Sequence, residues 1–176
     1  MRLKHKTCIV TGAAQGIGLA TALKFAEEGA NVVVADLKPE GVDAAVALVR
    51  ARGAQALGFA LNVTDREALE HMAAAVKERF DGIDVLVNNA GITKDARLQK
   101  MSLQQFDSVI DVNLRGEHIP TSLYYRADQL VNGRPSWWCA EAAPFGAIGA
   151  HFDDLTAPET ITAARIIGRR EPCTRP

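Results

Sequence analysis

The stretch TGAAQGIG, residues 11–18, sits between an apolar run, KTCIVT (6–11), and a stripe of Leu19, Leu23 and Ala26. That order limits the possible folds more than any other feature. The run is long enough for a buried strand, the stripe has a helical period, and the glycines fall at the turn between them. Gly29 stands where a residue just past a helix end is wanted. NVVVAD (31–36) then reads as a β-branched strand. Strand, turn, helix and strand make one βαβ unit. Its two strands must run parallel, joined by a right-handed crossover.

The alternation continues. Pro39 opens a second helix with Val42, Ala45, Val46 and Val49 on one face and Gly53 after its end. AQALGFALNV (54–63) contains a third strand. Thr64 reads as the cap of a third helix, with Glu67 completing a T-x-x-E capping box and Leu69, Met72, Val76 and Phe80 forming its face. IDVLV (83–87) is a fourth strand. Ser102 with Gln105 caps a fourth helix whose face is Leu103, Phe106, Ile110 and Asn113. The strands are apolar throughout, as expected when both sheet faces are covered. The expected architecture is α/β, a doubly wound parallel sheet over residues 1–116 followed by an irregular C-terminal segment, 117–176. The expected strand order, 3-2-1-4, leaves the fourth strand as an edge. An uncovered apolar edge predicts poor solubility or a molten C-terminal half.

After Arg115 the composition shifts. Six of the seven prolines (120, 135, 144, 158, 172, 176), both tryptophans, both tyrosines and two of the three cysteines lie beyond it. No lysine follows Lys100, and SWWCAEAAPFGAIGAHFDD has neither a helical nor a strand period. The break reads as a shift of reading frame near Arg115–Glu117 or a misjoined fragment; the rival reading is a genuine divergent segment. The chain of 176 residues is nearly half hydrophobic, enough for one domain with a sizeable core. A formal charge of −1 gives no reason to expect nucleic acid as a partner. No apolar stretch approaches the roughly 18 residues of a membrane span, and the basic start is followed by too short an apolar run for a signal peptide. Cys8, Cys139 and Cys173 form no CxxC pair, which fits a reducing cytoplasm. His5, His71, His118 and His151 share no metal-ligand spacing, so no metal is expected. RIIGRREPCTRP reads as a basic tail.

A phosphate site needs backbone N–H groups turned inward with no side chains in the way, and a helix N-terminus adds a favourable dipole. Gly12 leaves the first strand, Gly16 lies at the turn and Gly18 lies in the first helical turn. Asp36 ends the second strand about twenty residues on, where a dinucleotide fold places the acid that accepts from the ribose 2′-OH. A carboxylate there would repel a 2′-phosphate, so NAD is favoured over NADP, with Lys38 near enough to soften the preference. The ordinary alternative is a glycine-rich turn without a ligand. Asn88–Gly91 follow the fourth strand, which neighbours the first at the point where strand order reverses and ligands bind. The alternative for the two asparagines is an Asx turn. Asn113 shares a stripe with Phe106 and Ile110 and should face inward, where its amide must find partners. The plain reading is a core asparagine satisfied by neighbouring backbone.

TGxxxGxG, then Asp36, then NNAG (88–91), then Asn113 in DVNLRG together resemble the short-chain dehydrogenase/reductase family. LNVTD (61–65) and NNAGITKDARLQKMS are most similar to its 3-oxoacyl-[acyl-carrier-protein] reductase and acetoacetyl-CoA reductase branch. The resemblance covers residues 1–116. It implies a Rossmann-like fold and an NAD(P)-dependent oxidoreductase acting on a 3-oxoacyl thioester or similar carbonyl. Gly12, Ala14, Gln15, Gly16, Ile17 and Gly18 would form the pyrophosphate loop, and Asp36 and Leu37 would hold the adenosine ribose. Asn62 and Val63 would lie beside the adenine, where many relatives have Asp at the first position. Asn89, Ala90 and Gly91 would border the nicotinamide. Asn113 would be the catalytic-tetrad residue that anchors a water-linked path to a lysine. Lys94, Asp95 and Arg97 fall in a loop that relatives use near substrate, or form a plain solvated loop. Relatives are often homotetramers.

The same resemblance calls for a Ser after a fifth strand and a Tyr-x-x-x-Lys on the next helix. The lysine lowers the phenol pKa from about 10 towards a useful range. Here only Tyr124 and Tyr125 occur, with Asp128 and Gln129 four residues on, and a carboxylate raises a phenol pKa. Ser122 and Ser136 have no strand context. One of four catalytic residues is present, so the chain is expected to be catalytically deficient. The alternatives are a non-catalytic nucleotide-binding or interaction module, or a frameshift product without function.

Overall fold

A computed structural model describes residues 1–117 and 139–141. Strands β1 (Thr7–Thr11), β2 (Asn31–Asp36), β3 (Ala56–Ala60) and β4 (Val85–Asn88) alternate with helices α1 (Gly16–Glu27), α2 (Pro39–Arg50), α3 (Arg66–Phe80) and α4 (Leu103–Ile110). The strands form one parallel sheet in the order β3-β2-β1-β4-β5, where β5 is Cys139–Glu141. Thr7 pairs with Asn31 and Thr11 with Ala35, so β1 and β2 end almost level.

Successive strand residues feed opposite faces of the sheet, which is why continuous apolar runs suit it. Cys8, Val10, Val32, Val34, Val85 and Val87 point to one side, where Ala22, Phe25 and Ala26 of α1 and Val42, Ala45, Val46 and Val49 of α2 cover them. Ile9, Val33, Ala35 and Leu86 point to the other, against Leu69, Met72 and Val76 of α3. At the N-terminal edge Lys6 Nζ lies 2.5 Å from Asp84 Oδ1, and Asp84 Oδ2 accepts from the Thr7 N–H at 2.9 Å. These bonds fix where β1 and β4 begin relative to one another.

Three local expectations change. The cap of α3 is Asp65, whose carboxylate accepts from the Ala68 N–H at 3.1 Å; Thr64 is not the cap. Thr64 is taken up one turn earlier, where its N–H donates to Asn62 Oδ1 and the Asp65 N–H donates to the Asn62 carbonyl. The capping box of α4 forms as expected between Ser102 and Gln105. Its apolar stripe, however, lies open at its start: Leu103 is 80% and Phe106 47% exposed. Helical spacing reports a face able to be covered; among the described residues its first half, Leu103 and Phe106, is left open, while Ile110 and Asn113 are half-buried.

The third change concerns the sheet edge. β5 pairs in parallel with β4, Leu86 opposite Cys139 and Asn88 opposite Glu141, so β4 is an interior strand. The aggregation argument built on an open β4 therefore falls. A segment without visible period still pairs, because three residues are too few for a period to show and parallel pairing needs only backbone groups.

Cys8, the second residue of β1, is fully buried. Burial pushes its thiol pKa up, the Asp84 charge adds to that, and Lys6 opposes it weakly. Cys8 is expected to resist iodoacetamide in mildly alkaline native buffer and to react fully in guanidinium. Peptide mass mapping separates it from Cys139 and Cys173. Native labelling at Cys8 would mean that β1 is not the central strand of a closed core.

Candidate dinucleotide site

The C-terminal ends of β1, β2 and β4 meet at the glycine loop, and the loop's shape follows from what surrounds it. Gly12 and Gly16 have φ of +62° and +58°, in the left-handed region that favours glycine. A Cβ on Gly12 would lie 2.9 Å from Ala90 Cα, so β4's exit leaves no room for one. A Cβ on Gly18 would run into the Gly12 carbonyl oxygen and come within 2.5 Å of Asn89 Nδ2. Gly18 thus lets α1 start directly against the end of β1. At Gly16 nothing lies within 4 Å of such an atom, so the turn is open on that side.

Asn89 and Thr11 stitch β4 to β1. Asn89 Nδ2 donates to the carbonyls of Thr11 (2.9 Å) and Gly12 (3.1 Å). The N–H groups of Asn89 and Ala90 donate to Thr11 Oγ1 at 3.0 and 3.1 Å, and that hydroxyl donates to the Val87 carbonyl at 3.4 Å. Thr11 was not singled out from the sequence as a site residue. The available signal was a hydroxyl at a buried strand end, immediately before the first glycine.

Asp36, half-buried at the end of β2, points back to the loop: Oδ2 accepts from the Ala14 N–H at 3.0 Å and Oδ1 from the Leu37 N–H at 2.7 Å. Leu37 and Ile17 are 67% and 70% exposed, apolar side chains flanking an open end. At β3's end Asn62 is exposed and Val63 buried, and Val63 abuts Gly116, where an added Cβ would sit 2.7 Å from Val63 Cγ2. Asn113 lies in a π-helical turn, Asp111–Arg115, that continues α4. Its Oδ1 accepts from the Ile92 N–H at 2.8 Å and its Nδ2 donates to the Ile92 carbonyl at 3.0 Å. Both halves of the amide are matched by one backbone residue, so Asn113 holds the stretch after NNAG in place.

Gly12, Ala14, Gln15, Gly16, Ile17, Gly18, Asp36 and Asn89–Gly91 therefore stand together at one end of the sheet, with Asn62 and Val63 at the same end of β3. Thr93 to Arg97, including Lys94 and Asp95, are exposed. Ser122, Tyr124, Tyr125, Asp128, Gln129 and Ser136 lie outside the described residues. A cavity of about 380 Å³ lined by Phe59, Leu61, Asp65 and His71 contains none of the glycine-loop residues.

The cradle fits an anionic, extended ligand. α1 begins at Gly16 with no side-chain cap on Gln15 and no acid in its first turn, so no loop side chain competes for its leading N–H groups and positive dipole end, and the turn is open at Gly16. The Asp36 carboxylate stands beside them, able to accept hydroxyl donors.

The sequence pattern of the family described as short chain dehydrogenase matches residues 6–132, sixteen residues beyond the last family motif, which ends at Gly116. The chain belongs to the short-chain dehydrogenase/reductase family. It is 39% identical over 163 residues to the 3-oxoacyl-[acyl-carrier-protein] reductase FabG of Thermotoga maritima, covering 85% of this chain and 66% of that protein. Among solved structures, an NAD+-bound xylitol dehydrogenase superposes with a TM-score of 0.70 at 32% identity, covering 77% of this chain and 58% of that one. A short chain dehydrogenase from Burkholderia cenocepacia in complex with NADP gives 0.68 at 34% identity, covering 72% and 52%. The chain thus spans between about half and two thirds of the length of these relatives. No described helix is long and apolar enough to cross a membrane.

Proposed function

We propose that residues 1–116 form the dinucleotide-binding part of an NAD(P)-dependent oxidoreductase of the 3-oxoacyl thioester reductase line, and that this chain alone is catalytically deficient. One observation carries the first half: Gly12, Gly16, Gly18, Asp36 and Asn89 converge where α1 starts uncapped. In this reading Gly12 and Ala14–Gly18 hold the pyrophosphate, and Asp36 with Leu37 holds the adenosine ribose. Asn62 and Val63 flank the adenine, and Asn89, Ala90 and Gly91 border the nicotinamide. NAD is preferred because the Asp36 carboxylate would repel a 2′-phosphate, with Lys38 as counterweight. When bound, the dinucleotide supplies or accepts the hydride. The chain's own share is to fix the ligand at the sheet's end and, through Asn113, to hold Ile92 beside it.

The second half rests on what the chain lacks. No lysine follows Lys100, so no Tyr-x-x-x-Lys can be built from Tyr124 or Tyr125. Without it nothing holds a phenol ready to pass a proton to a carbonyl oxygen, a contribution of about 10²–10⁴ in rate. The composition break after Arg115 is read as a change of frame; the family match that continues to residue 132 weighs on the other side. Translating the coding DNA in the two other frames decides: a Tyr-x-x-x-Lys there supports the change of frame, and its absence removes it. The scattered cysteines support a cytoplasmic location.

Two measurements on the purified chain test the reading. NADH fluorescence should rise on titration with protein, and NADH absorbance should not fall measurably faster when acetoacetyl-CoA is added. Absence of the fluorescence signal refutes the dinucleotide site. Turnover within about tenfold of full-length relatives refutes the deficiency, since a lost general acid costs more than that.

A further inference from the structure

We infer that Asp36 is also a positioning residue for the glycine loop: its carboxylate latches the loop onto β2 before any nucleotide arrives and keeps enough acceptor capacity to take a ribose diol without letting go. The latch stands on geometry alone; its consequence for the diol rests on the dinucleotide reading above.

Two consecutive loop amides are tied to consecutive residues of β2. The Ala13 N–H donates to the Ala35 carbonyl at 3.2 Å, continuing the β1–β2 ladder one step beyond the strand. The next amide, Ala14, has no carbonyl left to reach, because the Asp36 carbonyl accepts from the Leu61 N–H on the β3 side. The Asp36 side chain takes its place, with Oδ2 3.0 Å from the Ala14 nitrogen. A carboxylate acceptor makes this bond stronger than the ladder bond it replaces. Ala14 is also held from the other side, since Gly41 of α2 lies so near that an added Cβ would come within 2.9 Å of Ala14 Cβ. Between the two left-handed glycines, 12 and 16, the loop is thus gripped at Ala13 and Ala14.

The carboxylate is not exhausted by this. Two oxygens offer about four lone-pair positions, and backbone donors use two of them. Two remain, one on each oxygen, which matches two neighbouring hydroxyls of a ribose. Asparagine at this position cannot do the same. It has a single acceptor oxygen, so one of the Ala14 and Leu37 amides would face an NH₂ group.

Amide hydrogen exchange resolved by residue, on the full chain without nucleotide, tests the latch. In the native chain the Ala14 amide should exchange at least tenfold more slowly than those of Gly16 and Ile17, which head α1 without helical partners. In Asp36→Ala the Ala14 amide should exchange about tenfold faster while Val33 and Val34 in β2 stay protected. In Asp36→Asn, Ala14 and Leu37 should not both remain protected. An Ala14 amide as fast as Gly16 in the native chain overturns the latch and needs no variant to fold. The NADH titration runs in parallel. A protected Ala14 in a chain that does not bind NADH keeps the latch and removes the dinucleotide reading. NADH binding with an unprotected Ala14 does the reverse.

Discussion

Thr11→Val is expected to destabilise the fold by about 2–4 kcal/mol, while Thr11→Ser stays within about 1 kcal/mol of the native chain. Valine has the shape of threonine, so packing is unchanged and the loss is polar. The hydroxyl accepts from two backbone amides, Asn89 and Ala90, and donates to the Val87 carbonyl. Removing it strands two half-buried donors at once, each costing about 1–2 kcal/mol when water reaches it only in part. Serine keeps the oxygen and gives up only a methyl. Urea unfolding midpoints for the three proteins measure the contrast. Equal midpoints for Val and Ser would show that the β1–β4 stitch contributes nothing and that β4's exit is set elsewhere.

Gly18→Ala is expected to cost about 3 kcal/mol and to abolish NADH binding, against about 1 kcal/mol for Gly16→Ala. The added carbon at position 18 meets backbone: it would lie 2.9 Å from the Gly12 carbonyl carbon and closer still to the oxygen. Backbone cannot swing aside as a flexible side chain can, so the start of α1 must lift off β1 and displace Asn89, whose Nδ2 is 2.5 Å away. At position 16 the space is open and only the left-handed φ of +58° is penalised. Denaturation gives the stability difference and fluorescence titration the binding. A Gly18→Ala chain that still binds NADH with native affinity would mean the helix does not start where Gly12 needs it.

The parts of the molecule legible in the sequence were those governed by local rules. β2 matched its expected bounds, Pro39 opened α2 and Ser102 capped α4, because propensity, fixed φ and a capping box act within a few residues. The glycine turn between β1 and α1 and the place of Asp36 at the end of β2 were legible because glycine spacing and strand length act locally. What escaped depends on neighbours far along the chain. Thr11 matters through residues almost eighty positions away. Asp65 displaced Thr64 as a cap because Asn62 claimed Thr64 first. Asn113 does face inward, but helical phase with Phe106 is not the reason, since Phe106 is exposed and the winding changes at Asp111.

The change of winding at 111–115 makes that segment sensitive to sequence length. There the Gly116 N–H reaches back five residues to the Asp111 carbonyl, so the turn holds one residue more than regular α winding would. Excising a single codon would let the cylinder re-wind as ordinary α-helix without losing a hydrogen bond. Gly116 would keep roughly its angle about the axis, because a five-residue π turn and a four-residue α turn advance by similar amounts, but with Val112 removed Asn113 inside the turn would rotate away from Ile92. Ile92 would lose the amide that clasps it, while circular dichroism would record the same helical content. A one-residue deletion there would leave the chain's spectrum intact and Ile92 unclasped.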